Sequence, residues 1–289
     1  MIDDDNAALN RRDVRRRFDG AAAQFDSVDF VHATTREGLL NRLAPMVIEP
    51  RTILDLGAAT GTATRVLARR FRRARVVALD LSHNMLEQTR KKQGWLSRTS
   101  TVQADAAALP FADQSFDIVF ANLLLPWVGN PARTFAEVSR VLVEDGLFLF
   151  ATLGPDSLSE IRRAWASVDS GIHVNLFPDM HDIGDAAVHA GLRDPILDVD
   201  RLTITYRDAS SLFRELTTMG ARNSLLRRDR SLSAAKRVTA MTAALDSLRD
   251  GGPLTLELEF VFGHCWGSGP RSADGEVRIA ATGIGRRNG

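Results

Sequence analysis

Cysteine is almost missing from this chain: Cys265 is the only one in 289 residues. That excludes an internal disulfide and a cysteine-rich metal centre. No His/Cys/carboxylate spacing resembles a ligand set either, so no metal is expected. Cys265 reads as a small hydrophobe near the end of a strand. Lysine is scarce too, limited to Lys91, Lys92 and Lys236; arginine carries the basic charge, which reflects genome composition better than function. Net charge is small, with 37 Lys+Arg against 36 Asp+Glu giving +1, so there is no global case for nucleic acid or a membrane surface. No apolar run reaches the length of a membrane span, and no secretory signal is recognised ahead of the first domain. The arginine-rich stretch Arg11 to Arg17 superficially suits a transit peptide. Such peptides are poor in acids, and Asp3, Asp4 and Asp5 stand just before it. A cytoplasmic protein is the expectation. No internal repeat is apparent.

What is present is a soluble enzyme's composition, 44% hydrophobic and 25% charged, enough for one large domain or a domain with a cap. The most informative stretch runs from Ile53 to Thr62. An apolar run stops at Asp55, turns through Gly57, Ala58, Ala59 and Gly61, and passes into Ala63 to Ala68. This predicts strand, tight turn, helix. Small residues there let a ligand lie against the backbone. A second apolar run, Val76 to Leu79, ends in Asp80, where an acid suits the two hydroxyls of a ribose. Strand and helix then alternate five times over residues 52 to 153, which predicts an α/β fold with a doubly wound, mostly parallel sheet. Asp55, Asp80, Asp105 and Asn122 all fall at or just past strand ends, where such sheets bind ligands.

The remaining segments divide by pattern. Residues 1–48 read as an N-terminal helical cap, with Phe18, Ala22, Phe25, Leu39 and Leu43 as apolar marks, and 49–154 as the cofactor-binding core. Residues 155–206 form a flank with a helix from Ser157 to Ala166, another from Met180 to Ala190 ending at Gly191, and a sixth strand over 196 to 206. A helical lid is expected over 207–250 and a last strand over 251–266, chiefly Leu254 to Phe262. The tail, 267–289, is rich in Gly, Ser and Arg and is expected to fray.

The order Asp55-x-Gly57-x-Ala59-x-Gly61 differs from the dinucleotide pattern, because the acid precedes the glycines. It would repel a pyrophosphate and suit an ammonium group. It resembles the first motif of the class I S-adenosylmethionine (SAM) methyltransferases, with Ala59 in place of the middle glycine. Gln103-Ala104-Asp105-Ala106 and Ser115-Phe116-Asp117-Ile118-Val119 resemble that family's later motifs. The resemblance implies a Rossmann-like, seven-stranded sheet and SAM as cofactor. It implies Asp55, Gly57, Ala59, Gly61, Asp80, Leu81, Met85, Asp105, Ala106 and Asn122 as cofactor-binding residues, with Asp105 accepting from the adenine amino group.

A narrower resemblance covers roughly residues 14 to 266. The run Ala151 to Leu158 with Glu160 and Trp165, His173-Val174-Asn175-x-Phe177, Met180 to Gly184, and Arg214-x-Leu216-x-x-x-Gly220-Ala221 resemble the malonyl-acyl-carrier-protein O-methyltransferases of biotin synthesis (BioC family). Two departures are Leu176, where the family often carries arginine, and Leu256-Glu257-Leu258 in place of a Tyr-x-hydrophobic pattern. The resemblance implies methyl transfer to a malonyl carboxylate carried on an acyl carrier protein. That nucleophile is ionised at neutral pH and requires no general base. Arg214 is the candidate for the substrate carboxylate, because its planar fork holds one; a solvated lid arginine is the plainer alternative. His173 and Asn175 are candidates to line the acyl site, and Trp127 to wall the transfer site or to pack the core. Arg222, Arg227, Arg228 and Arg230 either dock the acidic carrier or form a solvated face. Other readings are a different carboxylate or hydroxyl acceptor, the complex I assembly-factor branch associated with arginine hydroxylation, and a non-enzymatic SAM-binding scaffold. An acid is expected near the Arg214 position in the assembly-factor branch, so arginine there favours the malonyl reading. Oligomeric state is not readable.

Overall fold

The computed structural model describes residues 9–94, 97–221, 234–249 and 251–269. Seven strands form one sheet: β1 (Thr52–Leu56), β2 (Arg75–Asp80), β3 (Thr99–Gln103), β4 (Phe116–Asn122), β5 (Leu142–Leu153), β6 (Arg193–Tyr206) and β7 (Leu254–Trp266). Their order is β3-β2-β1-β4-β5-β7-β6. The first five pair in parallel, and β7 runs antiparallel to both its neighbours. The expected doubly wound, mostly parallel architecture is therefore present.

The sheet is covered on both faces, which is why its central strands read as unbroken apolar runs rather than alternations. On β4, Ile118 and Phe120 face a core that includes Leu39 and Leu43 of α2 (Phe30–Leu43) and Leu67 of α3 (Thr62–Arg70). Val119 and Ala121 face the other core, with Phe135 and Val138 of α5 (Pro131–Val141) and Ile183 and Ala187 of α7 (Met180–His189). The remaining helices are α1 (Arg11–Ala21), α4 (His83–Lys91), α6 (Ser159–Ala166), α8 (Ala209–Met219) and α9 (Ala234–Asp246). The lid helices α8 and α9 bury Leu212, Met241 and Leu245 against Ile161 and the start of β7. A smaller cluster joins Ala21, Ala22 and Phe25 of the cap to Met85 of α4 and Met219 of α8. The N-terminal helices and α8 thus meet through this cluster.

Boundaries differ where tertiary pairing overrides local pattern. Helix α5 stops at Val141, because Leu142 pairs at once with Phe116 of β4. The last two strands are longer than expected. They support each other in an antiparallel ladder from Ile196 opposite His264 to Tyr206 opposite Leu254. Helix α6 begins two residues late because Ser157 is engaged elsewhere: its hydroxyl donates to the Glu259 carbonyl at 2.9 Å and accepts from the Glu259 N–H at 3.0 Å. Helix α7 is capped by Asp179, whose carboxylate accepts from the backbone of His181 and Asp182. Asp182 lies in the first turn, where an acid suits the helix dipole. Cys265 is buried and unpaired on β7. The basic cluster Arg222, Arg227, Arg228 and Arg230, and the tail beyond residue 269, lie outside the described residues.

Candidate functional site

The site begins at the turn between β1 and α3, where the parallel order reverses beside β4. Gly57, Ala59 and Gly61 all hold positive φ, at 78°, 46° and 74°. A side chain at Gly61 would put its Cβ 2.5 Å from Thr89, and one at Gly57 would reach 3.0 Å from Leu124. Both glycines are demanded by conformation and by packing. Ala59 occupies the same left-handed region, with its methyl packed beside Phe25 and Met85.

One cavity, of about 390 Å³, lies over the carboxyl ends of β1 to β4. Gly57, Ala59, Asp80, Leu81, Met85, Asp105, Ala106 and Asn122 line it, along with Arg11, Val14 and Phe18 of α1. Asp80 is fixed at both oxygens, accepting from the Ala59 N–H at 2.9 Å and the Ser82 N–H at 2.8 Å. Burial pushes its carboxyl up to about 6, against the pull of those backbone donors. Asp105 accepts from the Ala107 N–H at 3.0 Å and from the Arg11 guanidinium at 2.6 Å. Asn122 donates to the His32 carbonyl at 2.9 Å, while its own Oδ1 is buried without a partner.

Two expected residues lie elsewhere. Asp55 is 1% exposed and does not line the cavity. It sits beneath the turn and accepts from the Thr64 hydroxyl of α3. Burial pushes it up to about 7, with the charge of Asp80 adding to the shift. Gly61 also lies behind the turn, against Thr89. Both shape the loop from below rather than facing its open side.

A second cavity, of about 690 Å³, extends from the first toward the lid. Its wall is largely apolar, with Leu158, Ile161, Leu212, Phe213, Leu256 and Leu258 among its members. The expected Trp127, His173, Asn175 and Arg214 all line it. His173 stacks on Trp165 with ring centroids 3.6 Å apart, and its Nε2 lies 2.6 Å from Asp169. Asn175 is buried; it donates to the Pro126 carbonyl at 3.2 Å, and its Oδ1 has no partner. Arg214 is exposed on α8, and its guanidinium forms no ion pair among the described residues. Tyr206 and Glu215 were not anticipated. They meet inside this cavity through a 2.8 Å hydrogen bond from the phenol to the carboxylate.

The two cavities share a neck. Phe18, His32, Leu123 and Trp127 line both. Phe18 meets Trp127 edge to face at 5.2 Å. His32 is a further residue that the sequence left unmarked: an isolated histidine in a helix gives no periodic signal, and only tertiary packing brings it to the neck.

Residues 54–150 match a methyltransferase domain. A malonyl-[acyl-carrier protein] O-methyltransferase of Halorhodospira halophila is 42% identical, with 98% of each chain covered. The chain belongs to this family. A relative of the same name from Laribacter hongkongensis is 40% identical over 88% of each chain. The YcgJ protein of Bacillus subtilis shares the fold at 18% identity, with a TM-score of 0.59 over 81% of this chain and 99% of that one. These relatives lend nothing to the hydroxylase branch.

Family membership clarifies two of the motifs. The run Gly154 to Leu158 is a structural lock. The carboxylate of Glu259 accepts from the Asp156 N–H at 3.0 Å, and a Cβ on Gly154 would collide with that side chain at 2.6 Å. Leu158 then donates its N–H to Glu257 and turns its side chain into the larger cavity. Leu176, at the position where arginine was expected, is 37% exposed and lines neither cavity. Leu256 and Leu258, the other departure, are walls of the larger cavity.

Proposed function

We propose that the protein transfers the methyl group of SAM to the free carboxylate of a malonyl thioester carried by acyl carrier protein, an early step of biotin synthesis. The observation that carries this reading is the pair of cavities sharing one neck: one at the strand ends that presents Asp80, Asp105 and Asn122, and a larger, more apolar one whose lining includes an arginine with no ion pair among the described residues. The names of the family's relatives point the same way.

The smaller cavity fits SAM by its donor set. Asp80 stands at the end of β2 with its oxygens held in place and binds the ribose hydroxyls. Asp105 takes the adenine amino group, with Arg11 displaced from it or sharing it. Asn122 offers a buried carbonyl oxygen that otherwise lacks a partner. Gly57 allows close approach to the turn. When bound, SAM supplies an electrophilic methyl group on a sulfonium centre.

The rest is positioning. A carboxylate is ionised at neutral pH, so no residue has to remove a proton. His173 agrees with that: its Nε2 is already engaged with Asp169. Arg214 holds one carboxylate oxygen through its planar fork and leaves the other free. Phe18 and Trp127 exclude water at the neck, which sharpens alignment and suppresses side reactions. The methyl ester is neutral, so it loses its attraction to Arg214 and leaves.

The test is transfer of labelled methyl from SAM to malonyl-acyl carrier protein, with the acetyl form as control. Base-labile label on the malonyl form alone is the expected result. Intact SAM binding without transfer would refute the acceptor assignment.

A further inference from the structure

Transfer has to occur at the neck, so the polar groups there decide what the enzyme accepts. Of the four side chains that wall both cavities, Phe18 and Leu123 have no hydrogen-bonding atom and Trp127 can only donate. His32 can donate from one ring nitrogen and accept at the other. Its Nδ1 is buried without a partner, as is Oδ1 of Asn122. The two residues are tied together, because Asn122 Nδ2 donates to the His32 carbonyl at 2.9 Å. The ring is oriented by Phe25, edge to face at 4.9 Å. Leaving a buried polar group unpaired costs about 1–3 kcal/mol. One such atom at the neck, with a second on Asn122 in the adjoining smaller cavity, marks a place prepared for a polar ligand.

The charge state of His32 suits a particular ligand. Burial pushes its pKa down to about 4; Asp29 opposes this and Arg36 reinforces it. Asp29 and Arg36 are themselves paired at 2.9 Å on the same helix. The imidazole is therefore neutral at physiological pH. A cationic ring at this point would repel a sulfonium. A neutral one can donate a single hydrogen bond without drawing the charge off an attacking oxygen.

We propose that His32 binds the acceptor carboxylate at the neck, donating a ring N–H to the oxygen that is not methylated. This rests on the malonyl reading above. It divides the work between two residues: Arg214 in the lid captures the charge, and His32 aims it. It also supplies selectivity. An acetyl thioester has no carboxylate to satisfy His32, so the cost of the unpaired nitrogen is retained and the wrong acceptor is disfavoured.

The test compares His32→Phe, which keeps an aromatic ring against Phe25, with His32→Gln, which restores an amide donor. Each is assayed for kcat and KM with malonyl-acyl carrier protein and for SAM affinity by calorimetry. The Phe variant is expected to lose at least roughly 30-fold in kcat/KM, about the worth of one good hydrogen bond to a charged group. Its SAM affinity should stay within about twofold, and the Gln variant should recover most of the loss. Unchanged turnover in the Phe variant would overturn the assignment. So would a fall in SAM affinity as large as the fall in turnover, which would make His32 a cofactor contact. Should the Phe variant not fold, the wild-type protein decides. With only 6 histidines in the chain, the His32 ring nitrogens can be followed by NMR. With S-adenosylhomocysteine present, malonyl carrier should move them and acetyl carrier should not; identical spectra would overturn the proposal. Absence of methyl transfer by the wild-type protein is a separate result that removes the malonyl reading itself.

Discussion

The two cavities are built in opposite ways. The smaller one draws its polar groups from successive strand ends, at Asp80, Asp105 and Asn122, beside the turn at Gly57. Its acids are held by neighbouring backbone N–H groups before any ligand arrives. The larger one gathers side chains from Phe18 to Leu258, with most of its wall apolar and its lone arginine exposed. One is a cradle whose acids are preorganised. The other is a shape assembled by tertiary packing of cap, flank and lid. On the proposed reading, recognition of the cofactor sits in the preset geometry of the strand ends, and recognition of the acceptor in the joints between elements.

Substitutions that affect one cavity and spare the other test that contrast. The largest effect is expected from Asp80→Ala. It removes two oxygens held by backbone donors and charge-assisted bonds to the ribose, each worth roughly 1.5–3 kcal/mol. SAM affinity should fall about 100-fold or more by calorimetry. Wild-type affinity in this variant would refute the ribose assignment.

Arg214→Ala should produce the mirror image. Loss of a charge-assisted contact to one carboxylate oxygen predicts a fall of roughly 10- to 100-fold in kcat/KM for malonyl carrier. SAM affinity should be untouched, since Arg214 does not line the smaller cavity. Equal turnover would place Arg214 on the solvated face of the lid.

The first cavity was legible in the sequence because its ligands are strand-end residues separated by regular intervals. Asp80, Asp105, Asn122, Leu81, Met85 and Ala106 all reach the cavity expected of them. Asp55 and Gly61 show the limit of such reading: their spacing fits the motif, yet their side of the turn faces the protein. The second cavity was only half legible. His173, Asn175 and Arg214 were found through resemblance and Trp127 from its place after the fourth strand, whereas His32, Tyr206 and Glu215 were not anticipated. Nothing local distinguishes them, because their neighbours at the site lie far away in sequence. The link from Arg11 to Asp105 was invisible for the same reason.

A milder probe uses pH. The folded carboxyl of Asp80 lies near 6, above its usual 3.8, because burial penalises the ionised form. Ribose hydroxyls and a sulfonium favour that ionised form. SAM binding should therefore expel a proton when the pH lies at or below about 6. Affinity should climb as pH rises from 5 and level off above 7. Calorimetry in buffers of different ionisation enthalpy would detect the release at pH 6 and its disappearance at pH 8. A flat affinity profile would mean that Asp80 does not titrate against the ligand.

The smallest effect is expected at Ala59, where the family's usual glycine is replaced. A non-glycine residue at φ 46° costs about 1–2 kcal/mol. Glycine would relieve that strain, but would add about 0.5–1 kcal/mol of backbone entropy to be lost on folding. It would also remove a methyl that packs beside Phe25 and Met85. These terms nearly cancel, so Ala59→Gly should shift stability by less than about 1 kcal/mol in a thermal melt. The Ala59 N–H that donates to Asp80 survives the change, so SAM affinity should hold within about twofold. A larger loss of stability would show that the methyl, and through it the junction of cap and lid, sets the shape of the turn. The cradle would then depend on the same tertiary packing that forms the acyl cavity, and the contrast between the two would narrow.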